Sequence, residues 1–294
     1  MITHQYALPK KPERVVLLGA GGLIGAAIRR QVDAQGIAAM TPASAELNLA
    51  EDIAADRLAS LLKPSDVVVM LAALTPDKGR GIATLMKNMA MMQSVCKAIE
   101  ATGCAQLIYF SSDAVYNTAI SRVTEETPAS PQDLYGTMHY ARETMARSLV
   151  NVPLLFLRPT LVYGLEDTHN SYGPNRFRRS AQKEGKIALF GDGEEMRDFI
   201  HVDDVAALTV RSLLHRSAGT LNIATGTSKP FHEVAKLVAG QFKHKIEVIK
   251  SPRTNPVTHR YYDVTALIKA FPDFRFIALG DGVARVHRQT EEAG

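Results

Sequence analysis

The chain has 294 residues, 46% of them hydrophobic and 22% charged, with a net charge of +4. That is the balance of an ordinary globular protein, with room for one large α/β domain and a smaller appendage. The mild charge argues against a nucleic-acid binder, which carries a concentrated basic stripe. No apolar run reaches the roughly 20 residues that cross a bilayer, and no basic-then-apolar leader opens the chain.

Two cysteines, Cys96 and Cys104, make no disulfide framework and read as small packed groups in a reducing compartment. The expectation is a cytoplasmic protein with no nucleic-acid and no membrane partner. The basic residues that do cluster, Arg176, Arg178, Arg179, Lys183, Lys186 and Arg197, fit a solvated helix face or a pocket for a small anion.

In chain order, Met1–Pro12 is polar with two prolines and reads as loose chain, as does Arg288–Gly294 at the other end. Val15-Val16-Leu17-Leu18, closed by Gly19, predicts a buried strand. Leu23, Ile24, Ala27, Ile28 and Val32 then recur at helical spacing until Gly36. Ile37–Met40 and Asp66–Ala72 read as further strands. Ile82, Leu85, Met89, Met92, Cys96 and Ile99 mark a long helix whose apolar stripe is core or subunit interface.

A strand over Leu107–Phe110, a helix over Tyr135–Leu149 and a strand over Leu154–Leu157 continue the alternation. Such alternation builds a parallel sheet covered on both faces. From Tyr163 to about Asp198 it stops among Gly, Pro, Asn and Arg, so loops and a substrate-facing lobe are expected there. Asp203–Leu214 reads as helix, Thr220–Ala224 as strand, Pro230–Phe242 as helix and Lys245–Ile249 as strand.

Gly19, Gly22 and Gly25 form GxxGxxG between the first strand and the helix that Leu23 and Ile24 open. The spacing suits a tight turn, backbone approach to a pyrophosphate and close helix packing, with the phosphates at the helix N-terminus. This predicts NAD or NADP as cofactor. The second strand ends Met40-Thr41-Pro42-Ala43-Ser44, without a carboxylate for the ribose of NAD and without an arginine for the 2′-phosphate of NADP. Thr41 is a candidate contact for either, and the choice stays open.

Four further segments follow in order. Tyr109-Phe110-Ser111-Ser112-Asp113-Ala114-Val115-Tyr116 resembles the SS-x-x-VYG segment of the extended short-chain dehydrogenase/reductases, in their NAD-dependent epimerase/dehydratase, nucleotide-sugar branch. Tyr135-Gly136-Thr137-Met138-His139 resembles their YGxSK helix, and Arg158-Pro159-Thr160-Leu161-Val162-Tyr163-Gly164 their RPxNVYG turn. Gly191 to Ala206 is similar to GDGxxxRDFIHVDDVA.

The resemblance implies a Rossmann doubly wound parallel sheet with a smaller C-terminal α/β substrate lobe. The cofactor domain is expected over 13–165, with 200–224 returning to it, and the smaller lobe over 166–199 and 225–280. It implies Tyr135 as general acid/base, Ser112 as the group that orients the substrate oxygen, and His139 in the place of the family's lysine. Ala72, Ala73, Pro159, Tyr135 and His139 would line the cofactor; Thr75, Ser112, Asn175, Arg197 and Arg260 would hold a nucleoside-diphosphate sugar, a surface position being the alternative for Arg260. The expected activity is a 4-epimerase or 4-keto reductase, and the expected assembly a homodimer through the helices at 82–101 and 135–149.

Three departures bear on that expectation. His139 is mostly neutral at pH 7 where a lysine is charged, though Arg142, one turn on, offers a cation. Leu161 stands for the asparagine of RPxNVYG, and Ala114 for the glutamate that follows Asp113 in dehydratases. They motivate the alternative of a catalytically weak or inactive dinucleotide-binding sensor or partner protein. Asp198, Asp203 and Asp204 read as helix caps and His201 as a buried, hydrogen-bonded histidine. The nine histidines show no HxH or HExxH spacing, so no metal is expected.

Overall fold

The computed structural model describes residues 2–149, 151–167, 170–253 and 255–293. Thr168, His169 and Thr254 of the expected smaller lobe, and Met1 and Gly294 of the expected loose ends, lie outside the described residues. The main sheet is built from β1 (Thr3–His4), β2 (Arg14–Leu18), β3 (Ala38–Met40), β4 (Val67–Met70), β5 (Gln106–Phe110), β7 (Leu154–Pro159) and β11 (Ser217–Ile223). Their order is β1-β11-β7-β5-β4-β2-β3, and every pairing is parallel except β1 on β11.

Alternate side chains of these strands enter two cores, one on each face. Val15, Leu17, Val67, Val69, Ile108 and Leu155 face one of them, which α1 (Leu23–Ala34) and α6 (Val202–Leu214) cover. Val16, Leu18, Val68, Met70, Leu107 and Tyr109 face the other, under α2 (Ala54–Leu61), α3 (Ile82–Thr102) and α4 (Leu134–Ala146). Because both faces are buried, these strands read as continuous apolar runs. Cys96 is buried in the second core, which pushes its thiol up to about 11. Neither α3 nor any other described helix is long and apolar enough to cross a membrane.

The strand order reverses at β2: the chain steps outward to β3, then returns to the other side for β4. In an open α/β sheet the crevice at such a point, beyond the C-terminal strand ends, is where ligands bind. Smaller elements gather near it. The turn η1 (Asp113–Val115) precedes β6 (Arg122–Val123), and β8 (Leu161–Tyr163), α5 (Pro174–Glu184), β9 (Lys186–Phe190), β10 (Met196–His201), β12 (Ser228–Pro230) and α7 (Phe231–Ala239) follow. After these come β13 (Glu247–Ser251), β14 (Tyr261–Tyr262), α8 (Thr265–Ala270) and α9 (Leu279–Ala293). Phe177, Ile187, Leu189, Phe199, Phe231 and Val234 make a separate core for the region beyond the main sheet.

Three expectations are corrected. Residues 163–198 are not chiefly loop: α5, β9 and the start of β10 stand there, and some of the residues that read as loop are the helix's own punctuation. Pro174 opens α5 without needing a donor, and Gly185 closes it in the left-handed region at φ 66°. The N-terminal stretch is not loose, since Thr3 and His4 pair with Ala218 and Ser217, and His4 Nδ1 lies 2.7 Å from Ser217 Oγ. The C-terminal stretch continues α9, anchored by buried Val283 and Val286 on one helix face.

Candidate active site

The glycine turn leaves β2 at the switch point. Gly19 has φ 104°, and a Cβ there would stand 2.7 Å from the Ala72 nitrogen, so turn and β4 end touch backbone to backbone. Gly22 is the N-cap of α1 and donates its N–H to Gly19 O; no side chain caps the helix. The N–H groups of the first turn, where Leu23, Ile24 and buried Gly25 sit, therefore face the crevice unpaired by any cap. Exposed Gly21 and Gly22 leave that end of the helix open. These residues fit a dinucleotide pyrophosphate.

At the end of β3, the Thr41 hydroxyl accepts a bond from Arg29 Nη1 at 3.0 Å, while Arg29 Nε donates to Asp33 at 2.7 and 2.8 Å. Linear reading found no arginine near this strand end because Arg29 lies on α1, twelve residues upstream. Its position about one turn after the last glycine of the motif was the available signal.

Ser112 lies just beyond β5, and its hydroxyl accepts from the Ala114 N–H at 3.1 Å, capping η1. Asp133 does the same for α4, accepting from the Gly136 N–H at 2.7 Å. Gly136 lets the two elements meet: a Cβ there would stand 2.2 Å from Ala114 O. The close approach brings Tyr135 beside Ser112. Burial pushes the Tyr135 phenol up to about 12; hydrogen bonding from Ser112 opposes this, Asp113 and Asp133 add to it, and Arg142 opposes it weakly.

His139 is buried, one turn along α4, with its ring 4.7 Å from that of Tyr135 and nearly perpendicular to it. Its Nδ1 lies 2.7 Å from the Tyr109 hydroxyl, and its Nε2 has no hydrogen-bond partner. Burial and then the Arg142 charge lower its pKa to about 3. Arg142 is fully buried, donates to Ala72 O at 2.8 Å and lies over the Tyr109 ring at 5.1 Å. It thus suppresses charge on His139 as well as offering one to Tyr135. Tyr109 was not foreseen, since within a strand it reads only as core.

Two hollows flank this pair. One, about 190 Å³, is lined by Tyr135, Asp133, Arg80, Leu74 and Met138. The other, about 180 Å³, is lined by Asp113, Asp133, Gln132, Arg197 and Arg260. Arg260 is buried, not superficial: Nη2 donates to Asn117 O at 3.2 Å and Nη1 has no partner. Arg197 is braced by Thr258, donating to its carbonyl at 2.6 Å and its hydroxyl at 2.8 Å. Asp113 accepts from the Tyr262 hydroxyl at 2.6 Å, yet burial still raises its pKa.

Other expected residues are held by contacts of their own. Asn175 is buried and spends its side-chain oxygen on the Gly164 N–H at 3.3 Å. The Thr75 hydroxyl donates to Asp77 at 2.6 Å in the loop after Ala72 and Ala73. Pro159 ends β7, where Arg158 makes a paired bond to Glu143 of α4 at 2.8 and 2.6 Å. The aspartates do not cap α6; His201 does, Nδ1 accepting from the Asp203 N–H at 3.1 Å. Asp198 instead accepts from Thr225 and Thr227, and Asp204 from the Ile277 N–H. His201 is buried and hydrogen-bonded, as expected. A larger cavity, about 800 Å³, opens between α7 and residues 276–280, lined in part by Thr225, Thr227 and Ile277, the partners of Asp198 and Asp204.

A glycine turn feeding a helix N-terminus at the switch point of a doubly wound sheet defines a Rossmann-type dinucleotide-binding protein. The chain belongs to the NAD dependent epimerase/dehydratase family, whose sequence profile matches residues 15–224. Solved structures share its fold over nearly the whole length. MoeE5, in complex with UDP-glucose and NAD, is 23% identical with a TM-score of 0.81, over 95% of this chain and 99% of that one. A UDP-N-acetylglucosamine 4-epimerase from Methanobrevibacter ruminantium M1 is 22% identical with a TM-score of 0.82, over 97% and 100%. RMD from Pseudomonas aeruginosa, complexed with NADPH, is 20% identical with a TM-score of 0.83, over 96% and 100%. Proteins of this fold thus bind NAD or NADPH.

Proposed function

We propose that the protein is an NAD(P)-dependent oxidoreductase of nucleoside-diphosphate sugars, a 4-epimerase or a 4-keto reductase. The observation that carries this reading is the Ser112–Tyr135 pair, whose neighbours Asp113 and Asp133 line a hollow with Arg197 and Arg260. A bound dinucleotide supplies or takes up the hydride. Tyr135 moves the proton of the sugar oxygen, and Ser112 orients that oxygen. Arg197 and Arg260 take the diphosphate, Arg260 through its unpartnered Nη1 and Arg197 through its fixed charge, its terminal nitrogens being held by Met196, Thr258 and Glu195.

On this reading 13–165 with 200–224 holds the dinucleotide, and 166–199 with 225–280 closes over the sugar nucleotide. Arg29, bonded to Thr41 at the end of β3, would be the group offered to a 2′-phosphate. The nucleotide sugars in complexes of this fold, UDP-glucose among them, support the substrate class.

Thermal unfolding with NAD(H), NADP(H) and UDP-, GDP- and dTDP-sugars tests it. A ligand at a hundred times its dissociation constant adds about 2.7 kcal/mol. Stabilisation by a dinucleotide and further by a sugar nucleotide is expected. Tyr135→Phe should keep both responses and lose hydride transfer by about 10²–10⁴-fold. A dinucleotide response with none to any sugar nucleotide would favour the sensor reading that neutral His139 motivates, and no response to either ligand would end the proposal.

A further inference from the structure

We propose that the cavity between α7 and residues 276–280 is a second ligand site, one that takes an apolar monocarboxylate and tightens the hold of Arg197 and Arg260 on the substrate. The site stands on its own geometry; its effect on the substrate rests on the function proposed above.

At about 800 Å³ the cavity has the size of a site for a small organic molecule, about four times either hollow beside the Ser112–Tyr135 pair. It shares no lining residue with them. Phe199, buried on β10, and half-buried Leu237, Phe276 and Leu279 supply apolar wall. Such a wall favours a hydrocarbon body, because contact takes apolar surface out of water. The charge around it is one-sided. Lys229 is paired with Glu233 at 3.1 Å, whereas exposed Lys236, also on the lining, makes no ion pair among the described residues. The lining is thus left with a single uncompensated positive charge. Its complement is one negative charge on an apolar body: a cation would be repelled, and a polyphosphate would keep most of its own charge unpaired.

One wall of the cavity also belongs to the substrate machinery. Thr225, Thr227 and Lys229 line it. Asp198 accepts from the Thr225 and Thr227 N–H groups at 3.0 and 3.1 Å and from the Thr225 hydroxyl at 3.0 Å. Ser228 donates its hydroxyl to Arg260 O at 2.7 Å, and Lys229 faces Arg197 across the β10–β12 pair. Segment 225–229 is therefore tied to the backbone that carries both arginines while it borders the cavity. A body packed against this segment adds contacts to it and narrows the positions it can take. The arginines then start nearer their binding arrangement, and the substrate binds more tightly. By linkage the substrate must tighten the carboxylate by the same factor.

Calorimetry tests this with decanoate as the probe and decan-1-ol and decylammonium as its uncharged and cationic counterparts. At low salt, decanoate should bind once per chain, about two- to fivefold tighter than decan-1-ol, with decylammonium weaker still. Gly280 lies at the start of α9, where an added Cβ meets only Leu237 Cδ2, at 3.9 Å. Gly280→Phe should therefore fold, fill the cavity and cut decanoate affinity at least about tenfold, leaving the dinucleotide response unchanged. Lys236→Gln, at an exposed position, should bring decanoate down to the decan-1-ol value. Saturating decanoate should tighten UDP-, GDP- or dTDP-glucose binding at least about fivefold.

Absence of saturable decanoate binding would overturn the inference, as would its displacement by a dinucleotide or sugar nucleotide. The same holds for binding untouched by Gly280→Phe, for decan-1-ol or decylammonium bound as tightly as decanoate, and for an unchanged sugar-nucleotide affinity. If no sugar nucleotide binds with or without decanoate, the proposed function fails, and decanoate binding with its loss in Gly280→Phe still decides the cavity.

Discussion

Arg29 stands beside Thr41 at the end of β3 without lying near that strand in sequence, and we propose that it favours NADPH. It reaches Thr41 from α1 through Nη1 while its Nε is bonded to the Asp33 carboxylate of the same helix, and the segment after β3 ends without a carboxylate of its own. A charge-assisted bond contributes about 1.5–3 kcal/mol, so Arg29→Ala should weaken NADPH binding by about 10–100-fold and leave NADH binding unchanged by calorimetry. Equal losses for both would assign Arg29 to helix stability alone. His139 carries a second consequence at this scale. Its pKa is lowered to about 3 in the folded protein, against about 6.5 in an unfolded chain. The unfolded state therefore takes up a proton as pH falls below 6.5 while the folded state does not. Stability present above pH 6.5 is lost through that window by about 1.4 kcal/mol per unit. Urea unfolding at pH 7, 6 and 5 should show native protein losing about 1.4–2 kcal/mol more than His139→Gln between pH 6.5 and 5. Parallel losses in the two proteins would mean that His139 takes up its proton while folded.

At the scale of elements, the Ser112–Tyr135 pair depends on how closely α4 presses against η1. Gly136 sets that distance, because any side chain there meets the Ala114 carbonyl. A displacement of about 1 Å costs on the order of 10² in rate. Gly136→Ala should accordingly lower kcat about a hundredfold with smaller changes in dinucleotide affinity; unchanged kcat would show that α4 can shift without parting the two hydroxyls. The glycine turn is the second such contact. Gly19→Ala combines a left-handed backbone with a clash on Ala72, and should abolish the dinucleotide-induced thermal shift while lowering stability by about 1–3 kcal/mol. The paired bond between Arg158 and Glu143 holds α4 to β7 and keeps Tyr135 at the strand ends. The motif that contains Arg158 is thus read in this chain as scaffold for the site.

For the whole molecule, α3 and α4 leave apolar groups uncovered. Ile82 and Met86 on α3 are 71% and 59% exposed, and Tyr140 on α4 is 39% exposed. The same helices bury Met92, Cys96 and Ile99 inward, so the stripe predicted along α3 divides between core and surface. We propose that the outward part pairs two copies of the chain. Met86→Glu should then shift the protein from dimer to monomer in sedimentation equilibrium, and a native monomer at micromolar concentration would exclude that interface.

Local chemistry made the main sheet legible, because strands buried on both faces are unbroken apolar runs and GxxGxxG must sit between strand and helix. Ser112, Tyr135 and His139 could be placed by motif for the same reason: their spacing follows from one strand end and one helical turn. Segments whose partners are remote in sequence were not legible. Thr3–His4 reads as loose chain until Ala218 and Ser217 stand beside it, and α5 reads as loop because its capping proline and glycine are also turn residues. Distance in the chain likewise hid Arg29 from Thr41 and Tyr109 from His139. The sequence by itself determined the fold class, which is written in short-range periodicity, and nominated Ser112 and Tyr135 as the candidate proton-moving pair through the motifs that resemble the family's. Only the tertiary structure decided that His139 is uncharged and Arg260 buried, because burial and the company of Arg142, Tyr109 and Asn117 are set by packing between elements.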